Sequence, residues 1–242
     1  MDKMSRRSFL KAGTAATAAL AMAPADVLGK AKSKKKAQTG KIKILAVGVG
    51  GRGHAVINGI TFKGKDEIYD DIEFIGMCDV DQKYAKGVID KYKKLFPNMK
   101  VYNDYKKMYA ELLDEADAVV CGTADHTHAI ISAEALVAKK HVYCEKPLTR
   151  TVYESRLLTK LAAQAGVATQ MGNQGASGEG VNIACEWLWN GEIGEVTKVE
   201  AFTDRPIWPQ GLEHPEEVHK IPSTLNWDAF IGPAPKRDYN EI

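Results

Sequence analysis

Apolar runs of four to seven residues, rich in valine and isoleucine, recur along the chain from residue 41 to about residue 172. Continuous runs of this kind are typical of strands buried on both faces of a parallel sheet. The predicted strands lie at residues 42–47, 72–78, near Val101, 116–122, 141–144 and 167–170. Helices are predicted between them, at about residues 51–60, 81–94, 104–113, 127–138 and 151–164. Strands that alternate with helices of about 10 to 15 residues predict an α/β fold with a doubly wound parallel sheet.

A glycine-rich loop follows the first predicted strand directly, with Gly48, Gly50 and Gly53 in the spacing G-x-G-x-x-G. The first glycine permits a tight turn, the second lets the backbone approach a pyrophosphate, and the third lets the next helix pack closely. Gly51 and Arg52 complete the loop, and the helix that begins there directs its amides at the phosphates. Strand, loop and helix in this order predict a Rossmann dinucleotide-binding domain.

An acidic residue, Asp79, closes the second predicted strand. A carboxylate at this position accepts hydrogen bonds from the adenosine ribose hydroxyls, and it repels a 2′-phosphate. NAD is therefore the predicted cofactor and NADP is disfavoured. The alternative role for Asp79 is to cap the helix predicted at 81–94, a role for which Asp81 is better placed.

Ligands of doubly wound sheets bind at the carboxyl ends of the strands. The predicted strands place three segments at this edge, namely residues 123–128, 145–147 and 171–174. We expect these segments to surround one crevice.

The N-terminal residues have the pattern of an export signal. Arg6 and Arg7 precede an apolar stretch of small residues, and Ala23-Pro24-Ala25 offers a small-x-small cleavage site. The stretch is too weakly hydrophobic for a stable membrane span. We interpret residues 1–25 as a twin-arginine signal peptide and 26–40 as a lysine-rich linker, which predicts contact with the twin-arginine machinery and export, for example to the periplasm. The alternative is a chance basic and apolar N-terminus.

The net charge of +2 is close to balance, and much of the basic excess lies between Lys30 and Lys36. A nucleic-acid partner is not predicted, since such proteins need a basic face on the folded domain itself. The four cysteines form no Cys-x-x-Cys pair. We interpret them as buried apolar side chains, and no metal site is predicted.

Glu145-Lys146-Pro147, downstream of the glycine loop, resembles a motif of the Gfo/Idh/MocA oxidoreductase family, which includes glucose–fructose oxidoreductase and inositol dehydrogenase. The resemblance extends to Gly122–His128, to Gly172-Asn173-Gln174 and to Ile193–Val196. It covers the chain from about residue 41 to its end. One departure is Ala124, where family members commonly have proline.

The resemblance implies roles for individual residues. Lys146 would be catalytic, as a buried ammonium between the nicotinamide ribose and the substrate. Glu145 would orient the cofactor end of the pocket, and Pro147 would follow a peptide that is often cis in the family. His128 resembles a histidine near the cofactor and is the second catalytic candidate. The alternatives are a surface Glu-Lys pair and a helix-capping or solvent-facing histidine.

Three further residues are expected to bind the cofactor. Thr123 follows the fourth strand, and Asn173 and Gln174 follow the sixth. The two amide side chains would contact nicotinamide or substrate, with simple loop hydrogen bonding as the alternative.

The resemblance also implies a second α/β domain with an open sheet. Residues 41–172 would form the NAD-binding Rossmann domain and 173–242 the start of an incomplete substrate and oligomerisation domain, with Val196–Thr203 as a strand of its sheet. The expected second-domain aspartate and histidine are not identified. The sequence is therefore expected to be a truncated form of a longer enzyme that assembles as a homo-oligomer.

The predicted function is hydride transfer between a carbinol of a sugar, glycoside or polyol and a tightly bound nicotinamide cofactor. Free NAD is scarce outside the cytoplasm, so an exported enzyme would reduce and reoxidise one retained cofactor in a ping-pong cycle. The first alternative is an NAD-dependent glycoside hydrolase that acts by transient oxidation and elimination. The second is a non-catalytic protein that binds a nucleotide or a sugar.

Overall fold

Six strands form one parallel sheet in the computed structural model, which describes residues 40–65, 67–206, 209–213 and 215–241. Their order across the sheet is β3-β2-β1-β4-β5-β6, and all neighbouring pairs are parallel. The strands are β1 (Ile42–Val47), β2 (Ile72–Cys78), β3 (Lys100–Tyr102), β4 (Ala118–Cys121), β5 (His141–Glu145) and β6 (Thr169–Gly172). This order reverses direction between β1 and β4, which opens a crevice at the carboxyl ends of these strands.

Helices follow the strands and cover both faces of the sheet. They are α1 (Gly51–Thr61), α2 (Lys86–Leu95), α3 (Tyr105–Leu112), α4 (His128–Val137), α5 (Val152–Ala165), α6 (Glu179–Trp189) and α7 (Trp227–Ile231), with a 3-10 turn at Asp125–Thr127 before α4. A capping box starts α5: the Thr151 hydroxyl accepts from the backbone amide of Glu154, and the Glu154 carboxylate accepts from the backbone amide of Thr151. This local signal is strong because it satisfies two amides that have no partner within the helix.

The core lies in two layers, one on each face of the sheet. On one face Phe74 of β2 packs edge-on against Tyr92 of α2, with ring centroids 5.3 Å apart, beside Ile57 of α1. On the other face Val119 of β4 packs with Met108 of α3 and with residues of α4 and α5. The continuous apolar character of the strands follows from burial on both sides.

The predicted doubly wound sheet is confirmed, and the predicted bounds of β1 and β2 coincide with those observed. One helix begins later than predicted, at Lys86 instead of residue 81. The cause is Asp81, whose carboxylate accepts hydrogen bonds from the amides of Lys83 and Tyr84, each within 3.1 Å. These bonds stabilise a separate turn before the helix.

The strand predicted at Val196–Thr203 is wrong, because these residues form no strand. Val199 and Phe202 are 82% and 96% exposed, and no described neighbour offers them a sheet edge. A lone extended segment cannot pair its backbone groups and gains no apolar burial.

Two predictions remain open or fall outside the described residues. The division of the chain at residue 172 stays a prediction, and the signal peptide and linker lie in residues 1–39, which are not described. Among the described helices none is both long enough and apolar enough to span a membrane.

Candidate functional site

The glycine loop is held by close backbone contacts on two sides. A Cβ at Gly53 would lie 1.8 Å from the carbonyl oxygen of Gly48, and one at Gly48 would lie 2.6 Å from the backbone of Thr123. Gly48 also has a φ of 73°, in the left-handed region that favours glycine. The loop is therefore pressed against the end of β4, with α1 beginning at Gly51.

Asp79 is buried at the end of β2, where its carboxylate braces the glycine loop. Oδ2 accepts from the amides of Val49 and Gly50 at 2.9 and 3.0 Å, and Oδ1 accepts from Asp81 N at 3.0 Å. A carboxylate offers about four acceptor positions. These three bonds therefore leave one position, on Oδ1, for a ligand hydroxyl.

A cavity of about 830 Å³ lies over the loop. Its lining includes Gly48, Gly50, Asp79 and Thr123 on the sheet side. The opposite wall comes from residues 225–241. This volume lies within the range of about 300 to 1,000 Å³ that is usual for cofactor sites.

A second cluster of predicted site residues surrounds Glu145, which is 3% exposed at the end of β5. Its Oε1 accepts from Arg52 Nε at 3.2 Å, from Gln174 Nε2 at 2.6 Å and from the Tyr143 hydroxyl at 3.3 Å. A Cβ at Gly172 would lie 2.5 Å from the same oxygen, so only glycine leaves room for this carboxylate. Glu145 thus ties together the loops that follow β1, β5 and β6.

Lys146 follows Glu145, and the Lys146–Pro147 peptide is cis, as the resemblance implied. The expectation that Lys146 is buried is wrong, because its side chain is exposed. It emerges at the open edge of the sheet, and none of the described residues packs over it. Asn173 is exposed as well, at the start of the turn that leads to Gln174.

His128 is fully buried at the start of α4. Its Nδ1 lies 2.7 Å from the carbonyl oxygen of Pro147, and its Nε2 lies 3.0 Å from that of Thr123. The ring therefore bridges the turns that follow β4 and β5, and the solvent-facing alternative is wrong.

Cys121 and Cys144 are opposite each other on β4 and β5, and with His128 their ligating atoms lie within 4.8 Å of one another. A hydrogen bond with the Cys144 thiol lowers the pKa of Cys121 to about 7, despite complete burial. Both ring nitrogens of His128 already face carbonyl oxygens, so a metal ion would have to displace one of them. The arrangement is consistent with a polar cluster inside the core that joins the two strands. The predicted burial is confirmed for Cys78, Cys121 and Cys144, and it is wrong for Cys185, which is half-buried.

Comparison with known protein families follows the same boundaries as the sheet. The family model for Gfo/Idh/MocA oxidoreductases, described as an oxidoreductase family with an NAD-binding Rossmann fold, matches residues 42–173, more than half of the chain. The chain belongs to the Gfo/Idh/MocA oxidoreductase family. The cofactor class of the family, NAD, agrees with the prediction from Asp79 and the glycine loop. A twin-arginine translocation signal model matches residues 3–23, which confirms the predicted export route.

The matches to relatives within the family cover only part of each relative's length. An uncharacterized oxidoreductase of Schizosaccharomyces pombe is 33% identical over 125 residues, which span 51% of this chain and 33% of that protein. A glycosyl hydrolase family 109 protein of Shewanella baltica (strain OS195) is 30% identical over 170 residues, spanning 64% of this chain and 36% of the relative. The chain thus matches about a third of the length of these curated relatives.

A solved structure gives the same fold. The scyllo-inositol dehydrogenase of Lactobacillus casei, crystallised with NAD(H) and scyllo-inositol, superposes with a TM-score of 0.54. The two chains are 24% identical, and the match covers 65% of this chain and 43% of the other.

Two tyrosines at the site were not foreseen. Tyr143 joins the Glu145 cluster, and Tyr84 lies on the glycine loop, where a Cβ at Gly50 would meet its ring at 2.4 Å. The close contact of Gly172 with Glu145 was not foreseen either, although Gly172 was named in the motif Gly172-Asn173-Gln174. Only Gly172 carried a sequence signal, because a glycine at the end of a buried strand indicates a close approach. The aromatic residues were hidden, since a tyrosine in an apolar run or on a helix is equally typical of the core.

Proposed function

We propose that this protein is an NAD-dependent oxidoreductase that transfers a hydride between a carbinol of a sugar, glycoside or polyol and a tightly held nicotinamide cofactor. The observation that carries the proposal is the Glu145 cluster. This buried carboxylate joins the glycine loop through Arg52 and the β6 turn through Gln174, directly beside Lys146. A dinucleotide bound along the glycine loop would therefore place its nicotinamide end beside Glu145 and Lys146.

The described residues fit NAD. Gly48, Gly50 and Gly53 carry no side chains of their own, which a close approach of a pyrophosphate to the loop backbone requires. The exposed Tyr84 ring packs against Gly50 at the same loop. The remaining acceptor position of Asp79 suits a ribose hydroxyl, and a carboxylate there opposes a 2′-phosphate. Thr123 lines the same cavity beside the loop.

Lys146 is the proposed catalytic residue. Bound NAD would supply the hydride acceptor for the carbinol carbon. Lys146 would hold the substrate hydroxyl and relay its proton to solvent as the carbonyl forms, and it would return a proton in the reverse reaction. Its exposed position lets the proton exchange with solvent.

His128 is assigned a positioning role in place of the predicted catalytic one. Its ring is buried and in contact with the carbonyl oxygens of Pro147 and Thr123. It would fix the turn that carries Lys146 against the turn that lines the cavity. Asn173 is assigned to the substrate side, as the exposed amide next to Gln174.

Export shapes the proposed cycle. A protein that leaves the cytoplasm by the twin-arginine pathway is folded beforehand and can take its NAD along. With no NAD pool outside, the reduced cofactor would be reoxidised in place by a second substrate, in a ping-pong cycle. A polyol substrate is supported by the scyllo-inositol dehydrogenase of the same fold. A homo-oligomer is also proposed, to be tested by light scattering.

The experiment starts with the nucleotide content of the purified protein. We expect NAD(H) to be released on heat denaturation and identified by its absorbance. In Lys146→Met, carbinol oxidation with a panel of inositols and glycosides should fall by about 100-fold or more. The nucleotide content should stay unchanged. Lys160→Met, on the exposed side of α5, is the matched control and should keep full activity. A wild-type protein that neither carries nor binds NAD(H) would refute the proposal.

A second function is favoured by one finding, the 30% identity to the glycosyl hydrolase family 109 protein. In that case bound NAD would oxidise a carbinol of the glycoside, the aglycone would leave by elimination, water would add in its place, and the NADH formed would reduce the carbonyl again. Release of the aglycone without net change in NADH would support it. The Glu145-Lys146-Pro147 sequence favours the dehydrogenase, since those hydrolases commonly depart from it.

A further inference from the structure

Residues 224–241, here called the clasp, return across the carboxyl ends of the strands on one half of the sheet. Two main-chain hydrogen bonds join the clasp to the turn after β2. Gln82 N donates to the Thr224 carbonyl at 3.2 Å, and Asn226 N donates to the Val80 carbonyl at 2.8 Å. The clasp therefore begins as an antiparallel bridge beside Asp79.

The clasp is also fixed to the turns after β3 and β4. The Asn226 side chain donates to the Asn103 carbonyl at 3.0 Å and accepts from Ala229 N at 3.2 Å, which starts α7. The His126 ring donates from Nε2 to the Phe230 carbonyl at 2.6 Å. The turns after β2, β3 and β4 are thus joined by one segment that lies more than a hundred residues away in the sequence.

Aromatic packing holds the clasp together. Trp227 stacks on Phe230, with centroids 5.3 Å apart and an interplanar angle of 11°, and meets Tyr239 edge-on at 5.1 Å. The Trp227 indole nitrogen donates to the Arg237 carbonyl at 3.0 Å. Both arms of the clasp, before and after the chain turns back, are therefore in contact.

The same aromatic residues form one wall of the 830 Å³ cavity. This wall faces Gly50 and Asp79 across the opening. In doubly wound sheets the strand ends on the β1-β2-β3 side hold the adenosine of a dinucleotide. Aromatic walls suit a nucleobase, since every base presents a π-face. The aromatic wall therefore has the chemistry to bind an adenine base, and it lies in the half of the crevice where adenosine is expected.

The geometry points to the clasp as a binding surface for the adenosine part of NAD, which slows release of the cofactor. This inference rests on the proposed function. It assigns to Asn226 and Trp227 a role in retention and not in hydride transfer, since both lie on the opposite half of the sheet from Lys146.

The test measures cofactor release from the full chain by stopped-flow fluorescence of NADH. Asn226→Ala removes the bonds to Asn103 and Ala229, so NADH should dissociate about tenfold faster. This change corresponds to about 1.4 kcal/mol, the upper end of the net range for one hydrogen bond. Asn190→Ala, at the exposed end of α6, is the matched control and should leave the rate unchanged. ADP-ribose affinity should fall in parallel, whereas reduced nicotinamide mononucleotide should bind the variant and the wild type equally.

Hydrogen exchange of the wild-type protein gives a second measurement that needs no variant. ADP-ribose should slow exchange at the amides of Gln82 and Asn226, which form the bridge, and reduced nicotinamide mononucleotide should not. Equal rates of NADH release from wild type and Asn226→Ala would refute the proposed role of the clasp, and so would exchange protection by ADP-ribose that is confined to the glycine loop. Neither result would contradict the proposed function. Failure of the wild type to bind NADH would instead overturn both.

Discussion

Replacing Gly53 by alanine would insert a methyl group at the point where the glycine loop meets β1 and β4. The added Cβ would lie 1.8 Å from the carbonyl oxygen of Gly48 and 3.5 Å from that of Gly122. A carbon and an oxygen tolerate an approach of about 3.3 Å. The two backbones would therefore have to separate by about 1.5 Å.

This shift cannot be local, because both neighbours are tied into the sheet. Gly48 N donates to the Cys78 carbonyl at 2.8 Å, and Gly122 N donates to the Val47 carbonyl at 2.8 Å. Overpacking a core costs about 1 to 3 kcal/mol, and more when no flexible side chain can give way. We expect Gly53→Ala to lower the free energy of unfolding by about 3 kcal/mol, at the upper end of this range.

Gly59 provides the matched control on the same helix. A Cβ there would meet nothing within 4 Å, so alanine adds no clash and restricts the unfolded chain. Gly59→Ala should therefore stabilise the protein by about 0.5 to 1 kcal/mol. The two alanine substitutions on α1 are predicted to have opposite signs.

The assay is urea unfolding followed by circular dichroism, together with the thermal midpoint. For a protein of this size about 3 kcal/mol corresponds to a midpoint lower by about 6 to 12 °C. NADH titration of Gly53→Ala should also show weaker binding, because the loop is displaced. If Gly53→Ala unfolds within about 0.5 kcal/mol of the wild type, which is the ordinary range for surface substitutions, the close approach does not constrain the loop and the reasoning fails.

Two further substitutions test the core and a helix start. Burial raises the pKa of Tyr92 to about 12, above its ordinary value of 10. The folded state therefore keeps the phenol protonated longer than the unfolded state does. The stabilisation is complete below pH 10 and is lost as the pH rises towards 12. The free energy of unfolding in urea should therefore fall between pH 10 and 12. Tyr92→Phe should remove this part of the fall, whereas Tyr153→Phe, at an exposed tyrosine, should not. Thr151→Ala should cost about 1 kcal/mol in the same assay through loss of the α5 cap, and Thr159→Ala, later on that helix, should cost less than half as much.

The sheet could be predicted from the sequence because its signals are local. The runs 42–47 and 72–78 are buried on both faces and are bounded by a glycine loop and an aspartate, so their ends are defined within a few residues. The start of α2 was harder to predict, because Asp81 stabilises a turn that has the same composition as a helix start.

The candidate site residues were named from the sequence, but the contacts between them could not be predicted. The motif at Glu145 identified the position, but its partner Arg52 lies 93 residues earlier and Gln174 lies 29 later. His128 likewise contacts Pro147, 19 residues away, through a ring whose direction depends on the packing of α4. Periodicity and spacing carry no information on such long-range pairs.

Beyond β6 few elements could be predicted, for a physical reason. Helix α6 exposes Trp187 and Trp189 at 58% and 81%, so its apolar positions follow no buried face within the described residues. The strand at Val196–Thr203 was predicted as part of the second-domain sheet that the resemblance implies, and such a segment does not form a strand without a partner.

Cofactor retention outside the cytoplasm sets a quantitative demand on the site. With an association rate constant of about 10⁶ M⁻¹ s⁻¹, a residence time of about one hour requires a dissociation constant near 0.3 nM. A tenfold faster release would shorten that residence to about six minutes. The proposed clasp, which begins at Thr224 and bridges the turns after β2, β3 and β4, would add contacts to those of Asp79 and the glycine loop. Under the proposed function the protein cannot replace a lost cofactor after export, so slow release of NAD(H) is the property on which continued turnover would depend.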